Sequence, residues 1–67
     1  MEATTLLDET KIGDYLSVGC VMDEEEVGLF IASADVSASC AFKFDEWERF
    51  VDSVNQAHKA FTENRKS

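Results

Sequence analysis

The chain has 67 residues, a net charge of −8, 45% hydrophobic residues, five Phe and no proline. That length makes a single domain with a small core, for which help from a partner subunit is expected, and the five Phe argue against a disordered chain. No stretch approaches the roughly 18 uncharged apolar residues of a membrane span, and no basic segment leads into an apolar one near Met1, so the expectation is a soluble, cytoplasmic protein.

The charge is unevenly placed. Residues 1–35 carry nine acids against the single Lys11, whereas residues 36–67 carry five of each sign. In chain order, residues 1–14 come first. The segment Thr4–Gly13, with Leu6, Leu7 and Ile12, reads as a fourth strand or as an arm packed on the rest.

Three runs with strand character follow, Tyr15–Met22, Val27–Ser33 and Val36–Phe42. Alternation sends Leu16, Val18, Cys20 and Met22, then Val27, Leu29 and Ile31, then Val36, Ala38, Cys40 and Phe42 to one face. The acidic run Asp23-Glu24-Glu25-Glu26 joins the first two, and a tight connection around Ala34-Asp35 joins the second and third. An antiparallel meander is the economical topology. The opposite face receives Tyr15, Ser17, Gly19, Val21, Gly28, Phe30, Ala32, Ser37, Ser39 and Ala41, and no charge. A sheet face left to water normally carries charged or polar side chains. An uncharged one marks an interface, covered by the N-terminal arm or by a second chain, with Tyr15 and Phe30 as its aromatic contacts.

In the C-terminal part, Trp47, Phe50, Val51, Val54, Ala57 and Phe61 recur at intervals of three and four, the stripe of an amphipathic helix. Asp45 is the expected N-cap with Glu48 completing a capping box, which places the helix at about residues 45–62 with a frayed basic tail at 63–67. Trp47, Phe50, Val54 and Phe61 are the expected core. The fold class is therefore α+β: an antiparallel meander of three to four strands with one long C-terminal helix packed on one face. Residues 15–62 form the compact domain.

Catalytic chemistry finds little support. His58 lies on the flank of the helical stripe, where a partly buried or dipole-facing histidine is the usual reading, and no glycine-rich loop or oxyanion device accompanies it. Cys20 and Cys40 have neither disulfide-framework nor metal-ligand spacing, share the helix-facing parity, and read as reduced, buried, inert thiols. Two strand spacings between them, about 9–10 Å, exceed the roughly 7 Å that a disulfide spans. The run Asp23–Glu26 lacks the spaced oxygen ligands and central Gly of a calcium loop. No enzyme, metal or cofactor is expected. The acidic run reads as a solubility gatekeeper on the hairpin tip, a role compatible with its serving as an acidic recognition edge.

Strands followed by Phe42-Lys43-Phe44-Asp45-Glu46-Trp47 and an amphipathic helix resemble the positive-cofactor-four type of single-stranded-DNA-binding transcription coactivator over roughly residues 15–62. The resemblance implies a homodimer of a curved sheet with a C-terminal helix, binding nucleic acid through basic and aromatic residues on its strands. The three strand runs of this chain, however, contain no Lys or Arg. A surface that must displace counterions from phosphates needs them, so nucleic acid is not the expected partner. The residues point instead to a small acidic, non-enzymatic protein–protein interaction module that pairs with itself or with a host protein through the uncharged sheet face and presents the acidic edge of Asp23, Glu24, Glu25 and Glu26 outward. Its profile is that of phage- or mobile-element accessory proteins, including inhibitors that mimic DNA to occupy a basic partner surface. The alternative is the homodimeric coactivator-like binder of single strands.

Overall fold

The computed structural model describes residues 3–66. Four strands run in sequence order, β1 (Thr4–Gly13), β2 (Leu16–Met22), β3 (Glu26–Ala32) and β4 (Ser37–Lys43), and α1 (Phe44–Arg65) follows. All three pairings are antiparallel and the order in the sheet is β1-β2-β3-β4. The α+β meander with a C-terminal helix against the sheet is thus established, and the N-terminal segment is a true fourth strand.

Two-residue alternation works cleanly through the middle of the sheet. The register is unbroken from Ser17↔Ala32 to Met22↔Val27 and from Glu26↔Lys43 to Ala32↔Ser37. Cys20, Leu29 and Cys40 lie abreast on one face, and Gly19, Phe30 and Ser39 on the other. β1 behaves differently. It takes ten residues to pair along the seven of β2, with register shifts between Thr5 and Leu7, between Leu7 and Thr10, and between Lys11 and Gly13. Each shift inserts an extra residue, which bends the strand and strengthens its local twist.

The connections are short and self-satisfied. At the β2–β3 turn, the Asp23 backbone N–H donates to the Glu26 carbonyl at 2.9 Å, while its carboxylate accepts from the N–H groups of Glu25 (2.7 Å) and Glu26 (2.8 Å). At the β3–β4 turn, the Ser33 N–H reaches the Val36 carbonyl at 2.7 Å, and the Ser33 hydroxyl accepts from the Val36 N–H at 3.2 Å. Asp and Ser thus do the turn-making that proline and glycine often do.

The N–H donors of Glu25 and then Glu26 hold the Asp23 carboxyl below its ordinary value of 3.8. A depressed carboxyl stabilises the fold above its unfolded value and loses that contribution as the pH falls through the lowered one. The stability gap between the native chain and Asp23→Ala should therefore be full above about pH 4 and close progressively in more acid solution. Urea melts across that range would show it, and a gap independent of pH would mean that the turn is not held by the charged form.

The helix begins earlier than the Asp45 cap read from the sequence. Lys43, with φ −68° and ψ 161°, is the N-cap, and the Glu46 carboxylate accepts from the Lys43 backbone N–H at 2.9 Å. A lysine side chain has no lone pair to return the favour, so Glu46 supplies this cap's side-chain bond. Asp45 instead pairs with Arg49 one turn on, at 2.7 Å, an exposed pair worth about 0.3–0.5 kcal/mol. The helix continues through Arg65, with Lys66 as its C-cap.

Lys43 is both the last residue of β4 and the cap of α1, so no loop intervenes to fold the helix back along the sheet. Its first turns pack through three rings: Phe42 lies 5.5 Å from Trp47 and 4.9 Å from Phe50, and Trp47 and Phe50 are 5.6 Å apart. Beneath them Val27, the cross-strand neighbour of Phe42, is 3% exposed. Beyond Val51 the helix leaves the sheet. Val54 and Phe61, expected in the core, are 49% and 53% exposed, and Ala57 is exposed as well. Among the described residues, the buried apolar side chains are those of Cys20 and Val27.

Candidate functional site

The face of the sheet turned away from α1 carries no charge over residues 17–21, 28–32 and 37–41, with the Glu26↔Lys43 pair at its rim. Phe30 sits between Gly19 of β2 and Ser39 of β4, neither of which rises to its height, and the ring stands 48% exposed. On the β1 side the bulged strand passes close over Gly19: a Cβ there would lie 3.6 Å from the Glu9 Cα and 3.7 Å from the Leu7 carbonyl oxygen. The bend raises a wall beside the flat floor. Between wall and floor lies an open cleft of about 490 Å³ whose lining includes Thr5, Asp8, Glu9, Ser17, Gly19 and Phe30. The Ser17 hydroxyl donates to Glu9 Oε2 at 3.2 Å and steadies that carboxylate. Lys, Arg and His are missing from the lining, so the cleft offers apolar floor and negative wall together.

The two sequence-expected interface residues lie apart, with Phe30 on this face and Tyr15 in a turn. Tyr15, 75% exposed, belongs to the β1–β2 connection. Four residues along the strand direction separate it from the level of Phe30, roughly 13 Å. The segment β1 lies beside β2 as an edge strand and leaves Phe30 uncovered. The acidic run sits at the β2–β3 end of the sheet, exposed from Asp23 to Glu26, with Glu26 opposite Lys43. The other two turns, at the opposite end, carry Asp14 and Asp35, so both ends of the sheet are negative.

Asp8 and Glu9 were missed as site residues, because the bulges of β1 erase the alternation that would have assigned them a face. His58 is exposed rather than partly buried, and its ring stacks on Phe61 at 6.0 Å. Both cysteines are free thiols. Cys20 is buried, and that burial pushes its thiol above the ordinary value, as expected of an inert side chain. Cys40 is exposed, contrary to the expectation, because the helix does not extend over its part of the sheet. Among the described residues, no three His, Cys, Asp or Glu side chains converge as a metal ion would need, and no helix is long and apolar enough to cross a membrane.

Set against family models, curated proteins and solved structures, the chain matches none of them.

Proposed function

We propose that this is a small acidic, non-enzymatic protein–protein interaction module of the inhibitor or DNA-mimic kind, acting on a basic surface of another protein. The observation that carries the reading is the cleft, where the exposed Phe30 ring and the Asp8–Glu9 wall face the same space. An arginine or lysine from a partner would lay its aliphatic stem on the ring and its charge against the wall. The acidic turns at both ends of the sheet extend the same field and would steer such a partner in.

Four strands leading directly into a helix also keep open a coactivator-like reading, with Lys11 on β1 and Lys43 on β4 as the cations of the strands. Both lie on edge strands, and the cleft lining between them is acidic. Two probes separate the readings. The chain should bind a labelled arginine-rich peptide, with affinity falling steeply as salt rises, and should leave a labelled single-stranded oligonucleotide unshifted. Oligonucleotide binding without peptide binding would replace the first reading with the second.

A further inference from the structure

We infer that the projecting half of α1 is a docking arm for a second copy of this chain, the two copies exchanging helix ends across the helix-side face of each other's sheet. The inference stands apart from the acidic-module reading, since it concerns the opposite face.

The stripe that packs at Trp47 and Phe50 against Phe42 continues unbroken to Val54, His58 and Phe61, one face of one helix. The first half of that face is covered by the chain's own sheet and the second half, among the described residues, by nothing. The same side of the sheet shows the converse. Its end remote from the Phe42 cluster leaves Leu16 and Ile31 at 39% and 45% exposure, with Val36 65% exposed in the adjoining turn, and Cys40, between that end and Phe42 along β4, is exposed as well. An uncovered stripe and an uncovered sheet patch of the same kind, on the same side of one chain, are the two halves of an isologous contact. From Val54 to Arg65 the arm is about 18 Å long, close to the width of four strands at about 4.8 Å spacing.

The areas agree with this occupant. A folded monomer of 7.5 kDa exposes about 4,250 Å², whereas this chain exposes 5609 Å². The excess, roughly 1,350 Å², is more than the ~800 Å² that each partner contributes to a stable interface of standard size. The radius of gyration, 13.9 Å against about 10.9 Å for a compact chain of this length, places the excess in an elongated shape.

Charge selects a second copy over an unrelated apolar partner. The arm carries Lys59, Arg65 and Lys66 against Glu63, whereas residues 3–43 carry eight acids against Lys11 and Lys43. Asp14 and Asp35 occupy the turns bounding the uncovered end of the sheet. The Arg65 guanidinium lies 5.7 Å from the Phe61 ring centre, so apolar contact and positive charge arrive together.

Sedimentation of the full chain at micromolar concentration should give a dimer. Phe61→Asp should raise its dissociation constant about 30-fold or more, the effect of losing an interface anchor, while Phe30→Asp, on the other face, leaves the dimer intact. Alkylation of Cys40 in the unaltered protein supplies a readout that does not depend on a variant folding. It should be slow where the dimer forms and should approach the rate of a free thiol on dilution. A monomer at high micromolar concentration, a dimer lost with Phe30→Asp but kept with Phe61→Asp, or a Cys40 equally reactive in dimer and monomer would each overturn the proposal.

Discussion

Phe42→Ala is expected to remove more than half of the chain's stability at 25 °C. Phe42 is the ring that touches both Trp47 and Phe50, and its cross-strand neighbour Val27 is one of the two buried apolar side chains described. Removing the ring strips the base of α1 and opens Val27 to water together, at a cost of about 3 kcal/mol or more. A domain this small has about 5 kcal/mol in total. Urea denaturation followed by circular dichroism checks the expectation, with Phe30→Ala as the contrast: that ring is half exposed on the far face, and its loss should cost within about 1 kcal/mol. Equal midpoints for the native chain and Phe42→Ala would mean that the three rings do not anchor the helix.

Replacing Glu24, Glu25 and Glu26 together with Gln removes three charges from one exposed turn while leaving Asp23, which makes the turn's hydrogen bonds, in place. The fold should persist, since exposed like charges repel and contribute little to stability. Association with the arginine-rich peptide should slow by about tenfold at low salt and lose much of its salt dependence, with a smaller change in dissociation. Stopped-flow mixing at two ionic strengths separates the two rates. If association is unchanged and the variant instead precipitates at lower concentration, the run serves solubility and the steering role is lost.

Most of the sheet was legible because period-two alternation reports side-chain direction independently of what covers each face. Residues Leu16–Met22, Glu26–Ala32 and Ser37–Lys43 fall within a residue or two of the expected strands. Three features were not legible, each for a physical reason. The bulges in β1 interrupt the period, so Leu6-Leu7-Asp8-Glu9 gave no face and the cleft wall went unseen. The cap is a lysine, which lacks the oxygen by which caps are usually recognised, so the cap was placed two residues late. Periodicity along α1 correctly marked Trp47, Phe50, Val54 and Phe61 as one stripe, yet a stripe says which side of a helix avoids water and not whose surface shelters it. The strand-to-helix junction at Lys43, with no loop, decides that the second half points away.

The unequal edges of the sheet carry a consequence for how it can grow. The outer edge of β1 belongs to a strand bent by three register shifts, a shape that a neighbouring chain cannot match over its length. β4 is regular from Ser37 to Lys43 and ends the sheet on the other side. Strand addition therefore has one usable side. Two such sheets joined along β4 would each present only a bent β1 outward, and growth would terminate there as a closed pair, which protects a chain rich in uncharged strands from becoming a filament.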